Sequence, residues 1–153
     1  MRGDQPATWA GPVYLDASAL VKLLVPELES DVLNQALMHA GEVIVSDLVL
    51  TETASALGRR TREGSLTQAE SRRLYREAEK LAASCRIAEL TPPVHRRAER
   101  LLLTSVEIPL RALDALHVAL ALDAEAATLV SFDPRLRHAA AAQGLFVAPE
   151  IDG

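Results

Sequence analysis

The chain has few of the residues that staple small proteins together. Its 153 residues include one cysteine, Cys85, so neither an internal disulfide nor a cysteine-based zinc site can form. A reducing cytoplasm suits such a chain. Aromatic residues make up only 3%, so the core must be built from Leu, Val and Ala, which favours packed helices. Lysine occurs only at Lys22 and Lys80; the remaining positive charge is arginine. The net charge of −5 argues against broad nonspecific nucleic-acid binding but leaves room for a local arginine rim. No apolar run reaches the ~20 residues that cross a bilayer. Residues 1–10 lack the apolar stretch of a signal peptide and read as a flexible tail. What the chain does have is apolar content, 49%, which excludes disorder. Its length suits a single domain over residues 11–150 with one sizeable core.

Short apolar runs alternate with helical periodicity. Val13-Tyr14-Leu15, Val43-Ile44-Val45, a segment around Ile87, Thr128–Ser131 and Leu145-Phe146-Val147 read as strands. Helices are expected over Ala17–Val25, from a Ser30 cap to Gly41, from a Ser46 or Asp47 cap to about Thr61, and after a Thr67/Glu70 capping box. Further helices follow Pro92-Pro93, with Val94, Ala98, Leu101, Leu102 and Ser105 inward, then over Arg111–Ala124 and after Asp133-Pro134. The Arg111–Ala124 segment is apolar on every face, which predicts a central helix. Strands alternating with helices predict an α/β fold: a central parallel sheet of about five strands with helices on both faces.

Four acids stand at telling places. Asp16 ends the first strand, and Asp133 follows the fourth. In an open parallel sheet, sites are built at the carboxyl edge. Asp114 lies in the first turn of a helix, where the dipole favours an anion, and Glu52 faces a small apolar stripe formed by Leu48, Val49, Ser55 and Ala56. Each has a simpler reading alone: Asp16 and Asp133 as helix caps, Asp114 as dipole compensation, Glu52 in an ion pair with Arg59 or Arg60. Together they are harder to dismiss. Carboxylates brought to about 5 Å repel by roughly 3 kcal/mol per pair at an effective dielectric near 20. A hard divalent cation such as Mg²⁺ or Mn²⁺ relieves that repulsion and takes oxygen ligands.

The stretches YLDASALVKLLVPE, SDLVLTETASALGRR, LRALDALHVALAL and LVSFDPRL, in this order, resemble the PIN-domain ribonucleases, most closely the VapC-type toxins of toxin–antitoxin pairs. The resemblance spans about residues 13–148. It implies a PIN-like fold and a metal-dependent endoribonuclease that leaves a 3′-hydroxyl and a 5′-phosphate. It also implies neutralisation by a cognate VapB-like antitoxin, with a homodimer as the expected assembly. Carried over by position, Asp16, Glu52, Asp114 and Asp133 form the acidic quartet around Mg²⁺ or Mn²⁺. Ser18 matches the small hydroxyl residue two after the first acid. Ser131 matches the hydroxyl residue two before the last, which helps position the ion or its water. Arg59, Arg60 and Arg111 are candidates to hold RNA phosphates, Arg111 alternatively pairing with an acid of the site. His117, three residues after Asp114, reads as a packed, hydrogen-bonded core histidine, with a base or ligand role as the alternative.

Two other classes compete. A phosphoryl-transfer receiver or a haloacid-dehalogenase-like phosphatase also places an Asp after the first strand. The phosphatase pattern wants a second Asp where this chain has Ser18, and both want a late lysine, whereas none follows Lys80. The other alternative is a non-catalytic PIN-like RNA-binding module, against which the retention of all four acids argues.

Overall fold

A computed structural model describes residues 8–26 and 30–151. The elements run β1 (Val13–Leu15), α1 (Ala17–Leu24), α2 (Ser30–His39), β2 (Val43–Ser46), α3 (Asp47–Arg62), α4 (Gln68–Ala83), β3 (Arg86–Ala88), α5 (Pro92–Thr104), α6 (Ala112–Asp123), β4 (Thr128–Val130), α7 (Pro134–Ala142) and β5 (Phe146–Ala148). Every strand pairing is parallel, in the order β3-β2-β1-β4-β5. Connections run one way from β1 through β3, then cross back to β4 and on to β5. Right-handed crossovers therefore put α1–α4 on one face and α5–α7 on the other. The packing agrees: α1 lies on α3, α3 on α4, α5 on α6 and α6 on α7.

This topology places a switch point between β1 and β4, where connections leave in opposite directions. The register makes the two strand ends level: Val13 pairs with Thr128 and Leu15 with Val130. The Asp16 amide then donates to the Val130 carbonyl at 3.1 Å. The central strands are fully buried at Val13, Tyr14, Leu15, Ile44, Val45, Leu129 and Val130. Each such aliphatic side chain contributes about 1.5–3 kcal/mol relative to exposure.

Most local signals act as expected. The Ser46 hydroxyl caps α3 by accepting from the Val49 amide at 3.2 Å. Thr67 caps α4 by accepting from the Glu70 amide at 3.1 Å. Gly64 (φ 81°) and Gly144 (φ 87°) take the left-handed conformation just past α3 and α7, which costs a glycine least.

Other expectations need correction. Ser30 is the first residue of α2 rather than the cap before it, and its hydroxyl donates to the Lys22 carbonyl at 2.6 Å. Leu102 does not point inward: it is exposed, and the buried residues of α5 are Val94, Ala98 and Leu101. The apolar character of α6 overstates its burial, since Leu113 is exposed at its first turn. The last strand starts one residue later than expected, with Phe146 on an exposed edge. Of the tail expected over residues 1–10, residues 1–7 lie outside the described residues. Trp9 packs against the core, and the Ala10 carbonyl accepts from the Thr128 hydroxyl at 2.5 Å.

Candidate active site

Asp16 leaves β1 and begins α1, which it caps: Oδ1 accepts from the Ala19 amide at 2.9 Å. The same oxygen accepts from the Ser18 hydroxyl at 2.7 Å, and Oδ2 accepts from the Ser131 hydroxyl at 2.5 Å. Both hydroxyls bond again. The Phe132 amide donates to Ser18 Oγ at 2.9 Å, and the Asp133 amide donates to Ser131 Oγ at 3.0 Å. Two serines thus cross-link the ends of β1 and β4. Asp16 is only 3% exposed. Burial pushes its carboxyl above the ordinary aspartate range, while the bonds from Ser131, Ala19 and Ser18 pull the other way.

Asp133 caps α7, accepting from the Arg135 amide at 3.0 Å. Asp114 reaches back to the Arg111 amide at 3.3 Å and so closes the first turn of α6. The Arg111 guanidinium lies between these two acids, 3.6 Å from Asp114 Oδ2 and 3.9 Å from Asp133 Oδ2. Arg111 therefore pairs with acids of the site, while its largely exposed side chain also lines the cleft where a phosphate would approach. Arg137 on α7 donates to the carbonyls of Ser131 at 2.8 Å and Pro149 at 2.7 Å, which fastens the β4–α7 turn to the chain beyond β5.

Glu52 comes from the second turn of α3. Its partner is neither Arg59 nor Arg60 but His117 of α6, whose Nε2 is hydrogen-bonded to Glu52 Oε1. The other ring nitrogen, Nδ1, lies 2.8 Å from the Tyr14 hydroxyl, itself 2.8 Å from Ser46 Oγ. Burial keeps the Tyr14 phenol protonated by raising its pKa far above the ordinary tyrosine value. His117 is thus the buried, bonded histidine expected, but what it holds is an acid of the site and not Asp114.

All four acids line one cleft of about 760 Å³, together with Ser18, Arg59, Arg60, Arg111 and His117. The cleft opens at the switch point, where open parallel sheets bind ligands. Residues 13–142 match the PIN domain family. The chain is a PIN-domain protein. It is 36% identical over 139 residues to Ribonuclease VapC45 of Mycobacterium tuberculosis (strain CDC 1551 / Oshkosh), covering 90% of this chain and 94% of that protein. That places it among the VapC ribonucleases. The crystal structure of M. tuberculosis VapC20, a Sarcin-Ricin loop cleaving toxin, aligns with a TM-score of 0.67 at 19% identity, over 87% of this chain and 95% of that one. A toxin–antitoxin complex from Klebsiella pneumoniae aligns with a TM-score of 0.59 at 16% identity, over 79% and 86%. These two likenesses establish the fold.

The donor set of this PIN domain is oxygen throughout, which suits a hard divalent ion. Among the described residues no three acidic, imidazole or thiol side chains lie close enough together to hold a metal ion between them. Mg²⁺ seldom needs three such ligands, because it keeps several waters and binds through one or two carboxylates and substrate phosphates. Asp16, Asp114 and Asp133 could supply those carboxylates, with Glu52 direct or through water. Sequence spacing had no means of finding the Tyr14–His117–Glu52 contacts, which join three distant segments, or the Arg137 bonds. Arg137 falls on the solvent-looking run Arg135-Leu136-Arg137-His138.

Proposed function

We infer that this chain is a metal-dependent endoribonuclease toxin that hydrolyses RNA phosphodiester bonds and is silenced by a cognate VapB-like antitoxin. The observation that carries the reading is the convergence of Asp16, Glu52, Asp114 and Asp133 on one arginine-lined cleft at the switch point. Asp16, Asp114 and Asp133 hold Mg²⁺ or Mn²⁺. When bound, the ion supplies Lewis acidity: it offsets charge growing on a phosphoryl oxygen and eases deprotonation of the attacking water. Glu52 orients that water and accepts its proton. The water oxygen bonds to phosphorus, the bond from phosphorus to the 3′ oxygen breaks, and that oxygen takes a proton from solvent water to leave as a 3′-hydroxyl opposite a 5′-phosphate. Arg59, Arg60 and Arg111 line the approach and neutralise phosphates.

Residues 11–150 act as a single nuclease domain, and the working form is a homodimer in the cytoplasm. No helix among the described residues is long and apolar enough to cross a membrane. The antitoxin reading is supported by the VapC relatives in sequence and by the fold shared with a toxin–antitoxin complex.

The test is cleavage of RNA by purified protein after exhaustive chelation, with Mg²⁺ or Mn²⁺ added back. Activity should vanish with EDTA and return with either ion, leaving 5′-phosphate ends. Full-rate cleavage after chelation would refute the mechanism. Sequencing the RNA ends left after brief induction in cells would identify the target.

A further inference from the structure

The cleft acids differ in how they are held, and Glu52 has the most elaborate support. Its carboxylate is met by an imidazole that is 3% exposed, with bonds at both ring nitrogens. The donor directions follow from elementary accounting. An ionised carboxylate only accepts, so His117 Nε2 carries a proton and donates to Glu52 Oε1. With the ring neutral, Nδ1 accepts, so the Tyr14 hydroxyl donates to it. That spends the one phenolic proton, and the Ser46 hydroxyl therefore donates to Tyr14. Ser46 Oγ in turn accepts from the Val49 amide at the start of α3, the helix that carries Glu52. The chain of bonds runs from the N-terminus of α3 through β1 and α6 and back to α3.

We propose that His117 is a positioning residue for Glu52, locked in one tautomer by Tyr14 and Ser46, so that one carboxylate oxygen is fixed and the other is presented to the attacking water. This rests on the nuclease reading given above and adds to it a support on which the activity of Glu52 depends. A histidine that merely filled the core would not need its outer nitrogen on the cleft acid. Bonds behind a site group commonly set its orientation, and removing them costs about 10–100-fold.

Two substitutions separate positioning from packing. Gln at position 117 places an N–H donor near the Nε2 position and keeps the bond to Glu52. Asn places its carbonyl near the Nδ1 position, keeps a partner for Tyr14, and leaves Glu52 without a donor. His117→Gln should retain cleavage within about tenfold of the parent, whereas His117→Asn should lose kcat by about 10–100-fold with KM for RNA little changed. Equal activity of the two variants, or a more active Asn variant, would overturn the proposal.

A spectroscopic readout needs neither turnover nor the variants. In ¹⁵N-histidine NMR of the parent at about pH 8, where an ordinary imidazole is neutral, His117 should show a slowly exchanging, downfield Nε2–H proton that disappears in Glu52→Ala. Absence of that proton, or its persistence in Glu52→Ala, would also overturn the proposal. Asp16→Asn keeps the two readings distinguishable. Undiminished cleavage in that variant counts against the nuclease site itself, and the NMR signature still decides the relay.

Discussion

Of the four cleft acids, Asp16 and Glu52 are held by buried hydrogen-bond donors, whereas Asp114 and Asp133 share an exposed cation. Asp16 has two hydroxyls and an amide, and Glu52 has an imidazole backed by a phenol. Asp114 and Asp133 have the Arg111 guanidinium, whose side chain is 61% exposed. Buried donors that are themselves hydrogen-bonded fix a carboxylate in place. An exposed arginine compensates charge and can be exchanged for another cation. One pair is thus fastened by the fold behind it, and the other shares a counter-ion that faces solvent.

The severest way to break the contrast is Asp16→Asn. Cleavage should fall by roughly 10²–10³-fold or more, as when a preorganised polar group is lost from a site. Thermal stability should hold or rise. Because burial raises the folded-state pKa of Asp16 above 3.8, the contribution of this group to stability is fully present below that pH and is lost as pH climbs through the raised value. The melting advantage of the Asn variant should therefore widen from about pH 4 to pH 7. A large fall in melting temperature would assign Asp16 to capping alone.

Next in size is stabilisation by metal. At a free Mn²⁺ concentration of 100 times Kd the parent should gain about 2.7 kcal/mol. In a chain of this length that raises Tm by roughly 5–10 °C. Asp16→Asn and Asp114→Asn should lose most of the shift, and an unchanged shift in both would place the ion elsewhere.

Arg111→Ala sharpens the contrast with a smaller effect. An exposed ion pair is worth about 0.2–1 kcal/mol, so removing the competing guanidinium should tighten Mn²⁺ binding up to about fivefold, measured by calorimetry. RNA binding should weaken in the same variant. Unchanged affinity for both would deny Arg111 any part in the cleft's charge balance. The smallest effect concerns the antitoxin. If a basic segment of that partner occupies the cleft, it competes with the ion for Asp16, Asp114 and Asp133, and its inhibition constant should rise with Mg²⁺ at constant ionic strength. A constant that stays put would exclude direct occupation of the cleft.

Legibility from the sequence follows the same division. The strand-end acids were readable because cap chemistry is local: Asp16 to Ala19 and Asp133 to Arg135 are spacings of three and two residues. The quartet was assembled from strand ends, helix starts and the family resemblance, and its four members line one cleft. The partner of Glu52 was out of reach, because His117 lies 65 residues away and arrives only when α3 and α6 are in place around the sheet. Leu113 and Leu102 misled for a related reason. Periodicity reports which residues are apolar, and only tertiary packing decides which of them find a neighbour. Ser30 misled through its favoured place in caps, its hydroxyl being engaged by the end of the preceding helix.

The seam between β1 and β4 also has a consequence for how the protein is made. Asp16 and Ser131 touch across 115 residues of chain. At ~5–20 residues per second a ribosome spends roughly 6–23 s between them. Throughout that interval the nascent chain carries its first acid with neither the serine that steadies it nor the last acid. The cleft is therefore completed only once β4 and the turn after it have been made, and a polypeptide stalled before β4 lacks both Ser131 and Asp133.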